Sequence, residues 1–464
     1  MNIRGVAVAL VAFLMLSACG SAVPTAEPTR APEPSPTNLP SPNPSPSPSP
    51  LPIFQVTPES LRGVEVNLWH PWAGAPAQTL ESLVADFNAH NPWGIQAKLS
   101  APGGSAVLLD AVQQALQAGA PPELVAMQSY QLWALAAQGS AVVDLTPYMT
   151  DDQWGLDKEL AEGLDASFSQ EDLFQGKQLG LPAQRDAQVL FYNRTWAQAL
   201  GFTHPPSNPE EFRQQACAAA KANLSDFPGD NDGTGGWIVS PDSGAVLSWL
   251  FSFGWQPPAG DGIPLLGTPQ AEQALTFLRD LEDKGCAWQS RDPSPYNYFA
   301  RRMALFYSGT SQDLPLQAGT LAASGSRDDW LVLPYPGTSG PMLLSSGPSY
   351  ALLRTDRVHQ LAAWLLLRWL LQPASQQAML SATWGLPLSP GIEPSAAGST
   401  SPFAQWTDLT SDKVSARQLP QTARWRDMRA PLEDAAQQML GPYGKAATIP
   451  DILRQLDEFL AAQP

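Results

Sequence analysis

The chain has 464 residues, of which 26 are Lys or Arg and 43 are Asp or Glu, giving a formal net charge of −17. That balance argues against a nucleic-acid partner, because phosphates require a basic surface. The length exceeds that of a usual single domain, so two lobes are expected.

The first segment has the layout of an export signal. Arg4 supplies a positive start, and Gly5 to Leu16 is an apolar run too short to span a bilayer as a permanent helix. Leu16-Ser17-Ala18-Cys19 then resembles the lipobox of bacterial lipoproteins. The resemblance implies residues 1–18 as a cleaved signal peptide and lipid attachment at Cys19. An ordinary signal peptide followed by a chance cysteine is the alternative. From Pro24 to Pro58 there are 13 prolines. Proline fixes φ and removes a backbone donor, so residues 19–58 read as a stiff spacer with a reach of order 100 Å. No other stretch is long and apolar enough to cross a membrane: Val358 to Leu371 is short and broken by Arg368.

Strands and helices then alternate. Val64 to Trp69 alternates like a strand, and Gln78 to His90 places Leu80, Leu83, Val84 and Phe87 on one helical face, ended by Asn91-Pro92. Ile95 to Leu99 is a second strand. Ser105 is a candidate N-cap for a helix that Gly119 stops, and Leu124 to Met127 is a third strand before a helix ending near Gly139. This βαβαβα order predicts a parallel sheet covered by helices, an α/β fold. A second unit begins near Leu181, with a strand over Ala187 to Tyr192 and a short helix over Thr195 to Leu200. Asn208-Pro209 and Thr268-Pro269 each open a helix, the second ending at Gly285. Late helices are expected over Asp356 to Leu371, Pro373 to Thr383, Thr422 to Leu440 and Pro450 to Ala462, with Pro431 kinking or splitting the third.

Several segments together resemble the family 1 extracellular solute-binding proteins of ABC importers, the group that includes maltose-binding protein. Val66-Asn67-Leu68-Trp69-His70 resembles the first strand and its ligand loop. Gly176 to Pro182 and Leu190-Phe191-Tyr192-Asn193-Arg194 resemble the segments entering and following the hinge. Pro205-Pro206 with Asn208 to Phe212, Arg302 to Leu305, and Leu361 to Leu371 with Gly385-Leu386-Pro387 resemble later elements. The Thr-Trp often found where Asn208-Pro209 stand is absent, as is the glycine usual before Arg302. The resemblance implies a two-lobed periplasmic-binding-protein-like fold of type II with a hinge. Lobe 1 would comprise residues 59–183 and 337–395, and lobe 2 residues 184–336 and 396–464. The chain would cross near Leu181 to Asp186 and again near Leu331 to Pro336. Ligand would bind by hinge closure, without turnover, for delivery to ABC permease subunits by a membrane-anchored monomer.

A sugar offers hydroxyl edges and apolar faces, so its site pairs aromatic platforms with planar polar side chains. Sixteen tryptophans occur. Trp69, His70 and Trp72 follow the first strand, where open α/β sheets place ligands. Gly103 and Gly104 precede the second helix, and Gln128 and Ser129 follow the third strand. Arg185 and Asp186 lie at the hinge. Asp242, Trp249 and Trp255 belong to an aromatic second-lobe segment, Tyr307 and Ser308 follow a strand-like run, Ser345 and Ser346 follow the second crossing, and Trp384 is on a late loop. For each, a core, capping or turn role is the alternative. Trp364 and Trp369 sit on an apolar helix and read as core.

Cys217 and Cys286 remain as an even pair in an oxidising compartment, predicting a disulfide, with two buried thiols as the alternative. Asp230-Asn231-Asp232-Gly233-Thr234-Gly235 resembles the opening of an EF-hand loop, with Asp230 and Asp232 as weak metal candidates. Its twelfth position is Pro241 instead of a bidentate Glu, so an Asp/Gly-rich surface turn is favoured and no metal or cofactor is expected. A lipid-anchored glycan-acting enzyme is a rival reading, but no Gly-x-Ser-x-Gly, His-Glu-x-x-His or Walker motif occurs. A sensory binding module that feeds no transporter is a second rival.

Overall fold

The computed structural model describes residues 55–139, 141–227, 231–258, 262–395, 401–411, 416–422 and 424–462. The signal segment, Cys19, nearly all of the spacer and Asp230 lie outside the described residues.

In chain order, β1 (Glu65–Trp69) and β2 (Gln96–Ser100) flank the helix Ala75–His90 and pair in parallel, with Val66 opposite Ala97. The helix buries Leu80, Val84 and Phe87. Asn91 ends it: its amide donates to the carbonyls of Phe87 and Ile95, and its oxygen accepts the Ile95 N–H. One side chain thus satisfies both the helix end and the turn into β2. The helix Ser105–Gln117 leads to β3 (Leu124–Gln128), which pairs with β1 in parallel. A hairpin of β4 (Leu173–Phe174) and β5 (Lys177–Gln178) precedes β6 (Leu181–Pro182).

The chain then leaves this sheet and enters a second one at β7 (Asp186–Asn193). Around β7 gather β8 (Trp237–Ile238), β9 (Ala287–Trp288), β10 (Phe306–Thr310), β11 (Trp330–Leu333) and β12 (Leu343–Ser346). The strand β13 (Pro348–Leu352) returns to the first sheet, and β14 (Ala416–Gln418) closes the edge of the second. The first sheet runs β2-β1-β3-β13-β6, and the second β14-β12-β7-β10-β8-β9, with β11 also on β7. One edge of β7 pairs with β10; the other pairs with β12 and then with β11.

The first crossing lies where expected, between Pro182 and Asp186. The second lies at Gly347, between β12 and β13, not near Leu331 to Pro336. Trp330–Leu333 stays in the second sheet because it continues the edge of β7 beyond β12, Leu331 facing Tyr192. Two glycines let the crossings touch. A Cβ at Gly347 would sit 2.1 Å from the carbonyl oxygen of Gln184, and one at Gly385 would sit 2.3 Å from that of Arg185. The Leu386 N–H donates to the same Arg185 carbonyl.

Each sheet has its own packing. Val66, Leu68 and Tyr350 pack with the helix Arg357–Leu370, whose Trp364 is fully buried and donates to the Trp154 carbonyl. In the second unit, Phe212, Trp237 and Trp249 meet edge-on, and Phe306 packs tilted against Phe212. Each such ring adds roughly 1.5–3 kcal/mol by burial. The helix starts follow the sequence: Asn208 accepts from the Glu211 N–H and Thr268 from the Ala271 N–H. Glu211 reaches Ser207, one residue before the cap, not the cap itself. Trp425–Leu440 runs as one helix through Pro431. Cys217 and Cys286 form a disulfide that ties the helix Pro209–Asp226 to the start of β9. No helix among the described residues is long and apolar enough to cross a membrane.

Candidate functional site

The C-terminal ends of β1 and β3 deliver loops to the crossing between the sheets. From the β1 loop, the Trp72 indole N–H donates to Gln184 Oε1 at 2.6 Å. Gln184 Nε2 donates to Asp186 Oδ1 at 2.7 Å, and the Gln312 amide donates to Oδ2. One carboxylate therefore joins a loop of the first sheet, the crossing, and the turn after β10. Burial pushes Asp186 up to about 7, while the two amide donors pull the other way. His70 lies 5.7 Å from Trp72, ring to ring. Burial lowers its pKa and holds the imidazole neutral at neutral pH. Its Nδ1 has no hydrogen-bond partner among the described residues.

Gln128, Ser129 and Ser346 come together around a small cavity that Tyr130, Trp133, Glu171 and Leu419 also line. Arg185 and Ser345 are among the expected contact residues that prove to be interior. Arg185 is fully buried: its Nε lies 2.6 Å from Glu171, and its other nitrogens donate to the carbonyls of Gln184 and Pro348 and to Ser349 Oγ. With every donor direction turned inward, the guanidinium binds the crossing together. Ser345 is fully buried as well and donates to Glu171 and to the Arg417 carbonyl.

On the second sheet, Tyr307 and Ser308 lie within β10, not after it, and line an open depression of about 500 Å³. Its walls carry Pro241, Pro293, Pro295 and Pro442 beside Ser240, Ser290, Gln289 and Gln437; Asp292 is its one charged lining residue among the described residues. Apolar rings set among hydroxyls and amides suit a neutral polyhydroxylated molecule. Tyr307 stacks on Phe191 at 4.4 Å and is nearly fully buried, which keeps its phenol protonated. Asp242 is exposed and caps the helix Ser243–Ser252 through the Ala245 N–H, while also accepting from Ser240.

Four of the five candidate tryptophans are buried, Trp72 among them at 8 % exposure. Trp249 is 0 % exposed and Trp255 2 %, so neither has a free ring face, and both are corrected to core. Trp255 donates to the Leu265 carbonyl. Trp384 is also largely buried, in a left-handed conformation that ends the helix Pro373–Thr383. Trp69 is half-buried at the end of β1. Gly103 and Gly104 stand at the start of the helix Ser105–Gln117, whose Ser105 carbonyl accepts from Gln131. Asp232 is exposed, and no group of three or more metal-ligating side chains occurs among the described residues.

Sequence reading missed a bridge between the two units. Tyr130 accepts from Arg429, Arg429 lies 3.8 Å from Glu433, and Glu433 accepts the Ser243 N–H. The i,i+4 spacing of Arg429 and Glu433 was visible, but it reads equally as an ordinary surface pair. Gln184, Gln312, Glu171 and Asp172 were missed too, having no local motif.

Solved structures share this architecture. The sugar-binding protein MalE from Xanthomonas citri superposes with a TM-score of 0.69 at 17% identity, covering 86% of this chain and 98% of that one. The cyclic alpha-maltosyl-1,6-maltose binding protein from Arthrobacter globiformis gives 0.67 at 18%, covering 86% and 99%. The maltose/maltodextrin-binding domain MalE from Bdellovibrio bacteriovorus, bound to maltotriose, gives 0.65 at 19%, covering 86% and 100%. These are two-lobed binding proteins, and the present fold is of that kind. In sequence, binding proteins of Brucella abortus and Brucella suis are 27% identical over 207 residues, 44% of this chain. The match spans just under half of their length, 46%. The model of the bacterial extracellular solute-binding protein family matches residues 82–409. That match spans well over half of the chain, and the chain belongs to the bacterial extracellular solute-binding protein family.

Proposed function

We propose that this protein is a membrane-tethered receptor that binds a neutral oligosaccharide and delivers it to an ABC importer. The observation carrying the ligand class is the depression beside β10. Its walls set proline rings beside hydroxyls and amides, and no basic side chain among the described residues lines it to select an anion. Similar structures have maltotriose or mannotriose bound, which agrees with this class. Ser240, Gln289, Ser290, Ser308 and Gln437, which line the depression, would contact the ligand, and Trp72, Gln184 and Asp186 would order the crossing beside it, with the Tyr130–Arg429 bond holding the lobes together. Lipid on Cys19 would hold the receptor outside the cytoplasm, and the proline spacer would let its cleft reach the permease.

The test is calorimetric titration and thermal shift of the full chain with maltotriose, mannotriose, a dipeptide and a polyamine. Binding of a trisaccharide, adding about 2.7 kcal/mol of stability at 100 times Kd, is expected. A response to the peptide or the amine but to neither sugar would overturn the substrate class. Release of sugar hydrolysis products would overturn binding without turnover. Persistence of the protein at the membrane after Cys19→Ser would overturn the anchor.

A further inference from the structure

Among the described residues, the crossing buries more carboxyl groups than its one buried cation, Arg185, can balance. Arg185 is 0 % exposed, and two carboxylates face it: Glu171 at 2.6 Å and Asp172 at 3.5 Å. Asp172 is also fully buried, and Glu171 is nearly so. The same guanidinium donates to the Gln184 and Pro348 carbonyls, and its carbon lies 5.9 Å from the Phe168 ring. It therefore staples the segment before β4, the first crossing and the second. Two ionised carboxylates around one guanidinium would leave a net negative charge in a buried, low-dielectric setting that screens it poorly. An uncompensated buried charge costs several kcal/mol, more than taking up a proton from solvent near neutrality.

We propose that this cluster makes the hinge proton-linked. Glu171 and Asp172 share one proton around Arg185 in the folded protein, and losing it weakens the grip of one crossing strand on the other. This goes beyond solute binding and does not depend on which solute the cleft takes.

The surroundings support one shared proton. Ser345 and Ser349 offer hydroxyls from β12 and β13, but neither brings a positive charge. Tyr130, which lines the small cavity with Glu171, accepts from Arg429, whose charge is paired with Glu433. On the same crossing, Asp186 adds negative charge, with Asp313 beyond it. Burial raises both cluster carboxyls, Glu171 to about 7, with Arg185 only partly offsetting it. A carboxyl raised in the folded state contributes stability that is full below its ordinary value near 4. That stability is lost as pH rises through about 7.

The test compares denaturant unfolding of the full wild-type chain and Glu171→Gln from about pH 5 to about pH 8.5. The amide keeps the shape and removes one acid, leaving Asp172 and Arg185 as a neutral pair. The ratio of unfolding constants, wild type over variant, should rise with pH and approach about tenfold per unit below pH 7, then flatten. A ratio independent of pH overturns the shared proton. If the variant does not fold, infrared difference spectra of Asp186→Asn serve instead. Loss of a protonated carboxyl band between pH 6 and pH 8.5 supports the proposal, and its absence overturns it. Small-angle scattering of the ligand-free wild type reads the hinge. A radius of gyration that grows through about pH 7 is expected, and a constant one overturns the loosening.

Discussion

Gly347 is where the two crossing strands touch, and Gly347→Ala tests whether that contact holds the hinge. The glycine needs no unusual φ, so the substitution acts through space alone. An added Cβ would lie 2.1 Å from the Gln184 carbonyl oxygen and 3.0 Å from the Arg185 Cα, both backbone atoms that cannot rotate away. Restoring ordinary contact requires the strands to part by about 1 Å. Three hydrogen bonds converge on the neighbouring Pro348 carbonyl: from the Ala183 N–H at 3.0 Å, the Gln184 N–H at 3.2 Å and Arg185 at 3.0 Å. Parting by that much takes all three out of bonding range. At about 1 kcal/mol each, the expected loss is about 2–4 kcal/mol, in line with overpacking of a filled site. Chemical denaturation reads it, with Gly104→Ala as the control, since a Cβ there meets nothing within 4 Å. If Gly347→Ala falls within about 0.5 kcal/mol of wild type, the crossing is softer than the geometry says and the argument fails.

Replacing both Cys217 and Cys286 by Ser frees a loop closed over a sequence separation of 69. Chain entropy alone predicts a loss of about 4 kcal/mol in denaturant unfolding, and a loss under 1 kcal/mol would refute that account. Asp186→Asn should remove a pH-dependent contribution. The raised carboxyl stabilises the fold below about 4 and loses that effect as pH rises through about 7, so the variant's stability should fall less over this interval. An identical pH profile in urea melts would contradict this. Asp242→Ala deletes the acceptor of the Ala245 N–H and should cost about 1 kcal/mol, while Asp242→Asn should retain most of it.

Local chemistry was legible along the chain because local rules govern it. The apolar spacing of Leu80, Val84 and Phe87 placed a helix, the Asn208-Pro209 and Thr268-Pro269 pairs marked two starts, and alternation over Val64 to Trp69 marked the first strand. The parallel pairing of β1 with β2 and β3 and the pairing of two cysteines followed from the same kind of reading, while the first crossing was expected from the family resemblance. The strand β13 joins β3 and β6 antiparallel, making the sheet mixed, which local patterning did not foretell. The second crossing did not, because Leu331 and Leu344 have the same strand-like character whichever sheet they join. Only the edges left open on β7 assign them. Nor did the site follow from residue type. Trp72 and Trp249 are alike as residues, yet one bonds Gln184 at the crossing while the other is enclosed by Phe212, Trp237 and Tyr335. Arg185 looked like a ligand donor until folding brought Glu171, Asp172 and the Pro348 carbonyl around it. The sequence by itself determined which segments become helix or strand and which groups carry charge. Only the tertiary structure decided which rings and charges keep a free face, since burial and partners are set by residues distant in the chain.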